Sequence, residues 1–484
     1  MPVDELPLEI LSQILGLVTA PGGTERLDRH HAENISRARL VCRQWNSLAV
    51  GHLFHTITLR HGEGVGDFRT WHQMIDSSVV RDVAKAAIIE TYPETLFEVD
   101  FEAFSAWEAE GVYPAFTHAI NRVLELGKLK TVQISFSEHC AGLEYENEAS
   151  GMYFETPSSR NHTLRAVFSA IRQRAKDPAV SKITNLVLIN LQNLPNPDFV
   201  TTDLFRDVMK DISHLKLQIA NEDTEVGTTN GQLWQIERRL FEPFLHQYWL
   251  TPIADQLTTL DIGFNELWGS IPAYFDGEGL LFSRLRNLRL YNFTISHHKH
   301  FDWVLAQNSL QCLILKDCYI ATYLVLAKAD LEEWELPTHD WDRFPDGAFG
   351  FSREAEAVYS FNGTWKTIFN RIEAELPHLL TFRAHYGAAK ESVSSELNLL
   401  SPSRYIAFEY GTTPSTWVEA DIQTGEMIFG DNNPSSLPRR WMDGLMHPLK
   451  RRKLNVAKYR QEVDGIALDS LVKTLRQRTW YRQV

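Results

Sequence analysis

The sequence lacks the marks of membrane, secreted and zinc-binding proteins. It contains no run of the ~18–20 apolar residues that cross a bilayer, and its 484 residues include only four cysteines, none in CxxC spacing. Four thiols in so long a chain are too few for a disulfide framework and form no zinc motif. We therefore expect an intracellular protein, cytoplasmic or nuclear, with no bound metal and no membrane partner.

Motifs of enzymatic chemistry are also missing. No G-x-x-x-x-G-K-S/T, H-E-x-x-H or G-x-S-x-G motif occurs. Gly62-x-Gly64-x-Gly66 follows no strand pattern and indicates a linker, and His297-His298-Lys299-His300 has no evident carboxylate or thiol partner. We expect a non-catalytic chain without a cofactor; the alternative is an enzyme whose site is assembled from residues that no motif reveals.

Charge is unevenly distributed along the chain. The formal charge is −14, yet residues 436–484 carry twelve Lys and Arg against four acidic residues. Residues 1–60 are balanced, so the acidic excess lies in between, where it repels nucleic acid. We expect no nucleic-acid partner. The basic run Lys450-Arg451-Arg452-Lys453 is either a solvated face beside the acidic body or a nuclear-import signal.

The amino terminus carries two helical patterns. The apolar residues between Leu6 and Val18 cover about 200° of a helix at 100° per residue, whereas a surface helix needs a stripe of only ~100°. A second pattern runs from Ala38 to Ala49, and a loop containing Pro21-Gly22-Gly23 is predicted from Thr19 to Glu33. About 50 residues bury too little surface to be safely stable alone, so we expect the excess apolar surface to meet another chain or the next domain.

These residues resemble a known motif. Leu6-Pro7-x-Glu9-Ile10-Leu11-x-x-Ile14-Leu15, followed by Arg39-Leu40-Val41-Cys42-Arg43-x-Trp45-Asn46-x-Leu48-Ala49 and Leu53-Phe54, is similar to the F-box. The resemblance covers residues 4–55 and implies docking onto the Skp adaptor and, through it, a cullin. By that resemblance the docking residues are Leu6, Pro7, Ile10, Leu11, Ile14, Leu15, Leu40, Val41 and Trp45. The alternative is that they are core residues of a small helical cap on the following domain.

Beyond residue 110 the chain repeats a helix followed by a short L-x-x-L-x-L run. Six runs begin at residues 129, 183, 212, 257, 285 and 310, and most spacings lie near the ~20–29 residues of a leucine-rich repeat. The fullest copies are Leu257 to Asn265 and Leu310 to Cys318, whose terminal Asn or Cys can bond the turn backbone. The pattern resembles an irregular, ribonuclease-inhibitor-like leucine-rich-repeat solenoid; a doubly wound sheet is the alternative.

In such a solenoid the residues between the leucines form the concave face. The predicted target-binding residues are Asp261, Phe264, Arg289, Tyr291, Asn292, Lys316, Asp317, Arg383 and His385. Aromatic and charged side chains on one wall suit protein recognition, although a merely solvated sheet face looks alike. Residues 92–116 and 331–365 interleave acidic and aromatic residues; either they grip a basic, partly apolar peptide, or the aromatics pack inward while the acids meet water.

Together the patterns predict an α/β protein in four parts. These are a helical F-box module (1–60), a linker with connecting helices (61–110), a leucine-rich-repeat-like solenoid (111–402) and a cap (403–484) with a β-hairpin and a basic helical tail around Ile466–Leu475. The hairpin is predicted from Tyr405–Tyr410, Trp417–Ile422 and a Thr424-Gly425 turn.

The resemblance implies a function without catalysis. The chain would be the substrate-recognition subunit of an SCF-type cullin ubiquitin ligase, presenting a target protein for degradation on the solenoid. The alternative is a non-degradative scaffold that uses the same docking helices. Many fungal and plant F-box proteins share this layout, which implies a eukaryotic origin.

Overall fold

The structure is a computed structural model. It describes residues 7–18, 29–60, 68–91, 101–140, 155–221, 233–271, 273–347, 353–385, 404–409, 413–415, 417–421, 427–430, 451–455 and 461–483. Contacts divide the chain into two units, residues 1–192 with 196–229 and residues 193–195 with 230–484.

The first unit holds a parallel sheet whose strands follow one another in chain order. The strands are β1 (Thr56–Leu59), β2 (Ala86–Glu90), β3 (Thr131–Ser135), β4 (Asn185–Gln192) and β5 (His214–Ala220). The helices are α1 (Leu8–Val18), α2 (Arg29–Ala38), α3 (Arg43–Leu53), α4 (Arg69–Asp76), α5 (Ser78–Val83), α6 (Phe101–Glu110), α7 (Pro114–Asn121), α8 (Pro157–Arg174), α9 (Pro197–Val200) and α10 (Asp203–Met209). Each successive pair of strands is parallel.

Matching positions of these strands form one buried apolar row. Leu59 pairs with Ile89, Ile89 with Ile134, Ile134 with Leu188 and Leu188 with Leu217. All five are at most 1% exposed. Because alternate strand residues face the same side, the row lines the inner face of the sheet. Each such side chain contributes about 1.5–3 kcal/mol by its burial, so stacking of neighbouring strands holds the sheet together.

The second unit combines a parallel array with antiparallel strands. Its strands are β6 (Thr259–Trp268), β7 (Asn287–Ile295), β8 (Cys312–Lys316), β9 (Tyr319–Ala327), β10 (Asp342–Arg343), β11 (Glu356–Ser360), β12 (Thr381–His385), β13 (Tyr405–Glu409), β14 (Thr413–Ser415), β15 (Trp417–Asp421), β16 (Met427–Gly430) and β17 (Arg451–Asn455). Its helices are α11 (Leu233–Phe244), α12 (Asp302–Leu305), α13 (Lys328–Glu333), α14 (Trp365–Glu375) and α15 (Gln461–Gln483).

Strands β6, β7, β8 and β12 run parallel in that order. Their register aligns Leu260, Leu288, Leu313 and Phe382, the same apolar position of each run. Strand β9 pairs in parallel with the end of β7 and with β13, and antiparallel with β11. The regular repeat therefore gives way, after β8, to a mixed sheet.

The carboxy-terminal strands form a separate antiparallel sheet with β15 at its centre. Strands β15 and β16 are antiparallel and flank the predicted Thr424-Gly425 turn, which lies outside the described residues. Strand β13 pairs with β9 and β14, so Tyr405–Glu409 joins the mixed sheet. The basic run lies partly in β17, whose register sets Arg451 opposite Asp421 and Lys453 opposite Glu419.

The predicted helical tail is present as α15, which packs against α14. Thr474 Oγ1 donates to Glu373 Oε1 at 2.7 Å, and Arg478 Nη1 donates to Leu376 O at 2.7 Å. The tail is therefore fixed at its carboxy-terminal half to the end of α14.

Each L-x-x-L-x-L run that the sequence predicts as a strand is a strand in the structure. The runs correspond to β3, β4, β5, β6, β7 and β8, and the run at Leu379 corresponds to β12. In the first unit the strands pair in chain order, whereas a doubly wound sheet reverses its order at a switch point. The parallel sheet begins at β1 and β2, ahead of residue 111. These two short strands were not predicted, because they carry buried apolar residues without the leucine spacing.

Strands β4 and β7 each contain an asparagine that bonds the preceding strand or the residue after it. Asn190 and Asn292 adopt left-handed backbone, with φ of 57° and 56°. Asn190 Nδ2 donates to Phe136 O at 3.1 Å, and Asn292 Nδ2 donates to Phe264 O at 2.7 Å. Asn tolerates this conformation better than most residues, and each amide ties its strand to the one before it. Cys318 acts similarly, with Sγ 3.4 Å from Leu290 O.

Candidate functional site

The parallel strands of the second unit present a charged face. The register places Asp261 beside Arg289 and aligns Arg383 with the same row, while Tyr291 pairs with Lys316. Arg289, Lys316 and Arg383 are exposed, whereas Asp261 is 7% exposed. This face is therefore richer in cations than the acidic chain as a whole.

Contacts within this face hold its side chains in position. Arg289 Nη1 lies 3.8 Å from Asp261 Oδ2, and Lys316 Nζ lies 5.7 Å from the ring centre of Tyr291. Burial, and then the nearby Asp261 carboxylate, raise the pKa of Tyr291 to about 12, so its hydroxyl stays protonated at neutral pH. The face exposes the guanidinium groups of Arg289 and Arg383 and the ammonium group of Lys316.

Two predicted target-binding residues serve the fold instead. Phe264 is 4% exposed and stacks on Trp268 with ring centres 4.9 Å apart, so its placement on the concave face was wrong. Phe264 follows Ile262 by two residues, so the alternation of Leu260 and Ile262 already places it on the buried face of β6. Asn292 is half-buried, and its amide is engaged with Phe264 O.

Asp317 and His385 complete the predicted set. Asp317 is half-buried and adopts left-handed backbone with φ of 52° at the end of β8. His385 pairs with Lys316 in the strand register, and its side chain lies outside the described residues.

The segment from 331 to 347 shows how acids and aromatics divide. Trp334 and Trp341 are each 8% exposed, whereas Glu333, Glu335 and Asp342 are exposed. In this segment the two tryptophans pack inward and the acids meet water.

Two histidines of the 297–300 run, His297 and His300, are buried, whereas His298 is exposed. His297 Nε2 donates to Pro337 O at 2.6 Å, and Ser296 N donates to His300 Nδ1 at 3.2 Å. Burial lowers the pKa of His297 to about 4 and that of His300 to about 3. Within the described residues no group of His, Cys, Asp or Glu could hold a metal ion.

Helices α1, α2 and α3 enclose a small core at the amino terminus. Leu15, Ile35 and Ala49 are at most 1% exposed, and Trp45 and Leu48 pack against them. Helix α2 replaces part of the loop predicted from Thr19 to Glu33. It was missed because Ile35 is its only large apolar residue, too few for a helical stripe.

Around this core, large apolar side chains face water. Leu40 is 85% exposed, Val41 63%, Ile10 41% and Ile14 37%. Leu40 and Val41 lie in the turn between α2 and α3, where their N–H groups donate to Arg37 O and Ala38 O. Ile10 and Ile14 are four residues apart and share one face of α1. The module thus has apolar surface that the described residues do not cover.

The amino-terminal helices with their exposed apolar residues also match a known protein family. Residues 3–60 match the F-box-like family. They are an F-box-like domain. No curated protein matches the chain.

The predicted docking residues of the F-box-like domain fall into an exposed group and a buried or half-buried group. Pro7, Ile10, Ile14, Leu40 and Val41 are exposed. Leu11 and Leu15 are each 1% exposed, and Trp45 is half-buried against the core; these three support the exposed residues from beneath. Leu6 lies outside the described residues.

Among the described residues, no helix is long and apolar enough to span a bilayer.

Proposed function

We propose that this chain is the substrate-recognition subunit of an SCF-type cullin ubiquitin ligase. The observation that carries the proposal is the F-box-like domain with its uncovered Leu40, Val41, Ile10 and Ile14. An F-box domain implies binding to the Skp adaptor and thereby to the cullin scaffold. Large apolar residues clustered on a small domain are typical of a protein interface.

The remainder of the proposal concerns target presentation. An irregular leucine-rich-repeat-like solenoid is supported by the parallel strands in chain order, by the aligned leucines and by the amide hydrogen bonds of Asn190 and Asn292. Its exposed face in the second unit would bind the target through Arg289, Tyr291, Lys316 and Arg383, with Asp261 positioning Arg289. The chain would act by proximity, raising the effective concentration of a target lysine near a ubiquitin thioester, so none of its side chains needs to be catalytic.

The docking step is tested by the double variant Ile10→Asp/Leu40→Asp. Both side chains are exposed, so the fold should survive, whereas two carboxylates in the apolar interface should abolish co-purification with the Skp adaptor. Trp45→Ala is unsuitable because Trp45 packs on the core of the domain.

The matched control is Val79→Asp/Val112→Asp, which places the same charges on exposed valines of the first unit outside the F-box-like domain. Circular dichroism should show equal helix content in both variants. Undiminished co-purification of the Ile10→Asp/Leu40→Asp variant would refute the docking assignment.

Ubiquitylation is tested separately from docking. Deleting the gene should raise the steady-state level of proteins that co-purify with the chain, as measured by quantitative mass spectrometry. If the adaptor and cullin co-purify but no associated protein accumulates, the chain is a scaffold rather than a substrate receptor.

A further inference from the structure

The second unit contains a pocket that the proposed function does not use. Its volume is about 980 Å³, and it opens between α11, residues 273–278, residues 299–303 and residues 333–339. None of the strand residues assigned to target binding lines it. The volume lies near the upper end of ligand pockets, which are roughly 300–1,000 Å³, and exceeds what a single ion would need.

Carboxylates dominate the charge of this pocket. Five line it, and two of these are paired: Glu333 with Arg239 at 3.5 Å, and Asp302 with Arg371 at 2.6 Å. The other three make no salt bridge to a described residue; they are Asp276, Glu278 and Glu335. Lys299 is the remaining cation of the lining, so negative charge stays in excess.

Aromatic side chains form part of the same wall. Tyr274, Trp303 and Trp334 line the pocket. Burial raises the pKa of Tyr274 to about 12, with the nearby carboxylates, Asp276 first among them, adding to the effect. Guanidinium groups stack on aromatic rings and pair with carboxylates, so this combination suits an arginine side chain.

One buried donor in the wall has no partner. Trp303 is 4% exposed, and its Nε1 makes no hydrogen bond to any described residue. A buried N–H without an acceptor destabilises the folded chain, so a ligand that supplies an acceptor stabilises it. A peptide carbonyl is such an acceptor, whereas a bare cation is not.

We propose that this pocket binds an arginine-containing basic peptide segment of a partner protein. Asp276, Glu278 and Glu335 would receive the cationic side chains, the half-buried ring of Tyr274 would stack on one of them, and Trp303 Nε1 would donate to the peptide backbone. The site goes beyond the docking and target-binding surfaces proposed above, and its occupancy does not require the Skp adaptor.

The test is fluorescence anisotropy on the full chain with fluorescein-labelled Gly-Arg-Gly-Arg-Gly amide. The variant Asp276→Asn/Glu278→Gln/Glu335→Gln should lower affinity at least about tenfold, since it removes three carboxylates that would face the arginine side chains. The control Asp255→Asn/Asp342→Asn/Glu354→Gln removes the same charge from exposed positions of the same unit, outside the pocket, and should bind like the wild type.

Two further measurements sharpen the result. The matched peptide with Gln in place of Arg should bind at least about tenfold more weakly than the Arg peptide. Trp303→Phe keeps a ring but removes the indole N–H, and should weaken the Arg peptide severalfold without changing the thermal midpoint by more than a few degrees. Equal loss in the pocket and control variants, equal affinity for the Gln peptide, or spermidine binding as tightly as the Arg peptide would overturn the proposal.

Discussion

Leucine has opposite environments in two regions of this molecule. In the F-box-like domain Leu40 is 85% exposed, whereas Leu288 in the strand array of the second unit is 0% exposed. Three short helices enclose a single small cluster and cannot cover their remaining apolar residues. Stacked strands cover one another, because each strand lies between two neighbours. Exposed apolar residues on a small domain thus indicate a docking surface, whereas buried apolar residues stabilise the fold.

Charged residues differ between the same two regions in the opposite sense: they are accessible in the F-box-like domain, and some are buried in the second unit. The charged residues described in α1 to α3 are exposed or half-buried, while the second unit encloses Arg404 and Asp464, at 0% and 1% exposure. Asp464 Oδ2 lies 3.6 Å from Arg404 Nη2 and accepts from Tyr405 Oη at 2.7 Å. Its Oδ1 accepts from Lys366 N at 2.8 Å, at the start of α14. One carboxylate therefore ties α15 to both α14 and β13.

The largest expected effect comes from removing this carboxylate. Asp464→Ala should lower the free energy of unfolding by about 3–5 kcal/mol, because it leaves Arg404 buried without its counter-ion. The shift in the midpoint of urea unfolding, followed by tryptophan fluorescence, measures this loss. Asp469→Ala, on the exposed side of the same helix, should change stability by less than about 0.5 kcal/mol. Equal losses in the two variants would mean that the buried pair does not hold α15.

The leucine contrast can be tested directly with matched truncations. Leu288→Ala should cost about 2–5 kcal/mol, because it opens a cavity in the aligned row of the second unit. Leu40→Ala should leave stability within about 0.5 kcal/mol while weakening adaptor binding. The same urea titration serves both variants. If Leu40→Ala destabilised the chain as much as Leu288→Ala does, the exposed turn would be structural rather than a docking surface.

A smaller effect on stability is expected from pH, and it arises from two buried histidines of the second unit. His297 and His300 stay neutral in the folded chain because their pKa values fall to about 4 and about 3. In the unfolded chain they bind protons near pH 6.5. Stability should therefore fall as pH drops below 6.5, by roughly 1 kcal/mol per histidine between pH 6 and pH 5.

The measurement is the thermal midpoint at pH 6 and pH 5 for the wild type and for His297→Gln/His300→Gln. The variant should lose less stability over this interval than the wild type does. An unchanged pH dependence would show that other groups dominate the acid sensitivity of the chain.

Much of the strand architecture was predictable from local pattern. Alternation at Leu186 and Leu188, or at Leu313 and Leu315, places both side chains on one face, and no distant residue alters that. The residues proposed for docking could also be named from the sequence, because each of the two motif elements, residues 6–15 and residues 39–54, is a short stretch of chain. The same alternation, applied from Leu260 and Ile262, would have placed Phe264 correctly on the buried face.

The sequence by itself determined where the strands with leucine spacing lie, which of their residues alternate inward, and that the first helices carry more apolar surface than one stripe requires. These properties depend on period and composition within short segments. The tertiary structure decided which of those apolar residues remain uncovered, that His297 and His300 lose their protons through burial, and that residues from 239 to 339 meet in one acidic pocket. Burial and convergence depend on segments far apart in the chain, and no local pattern encodes the distance between them.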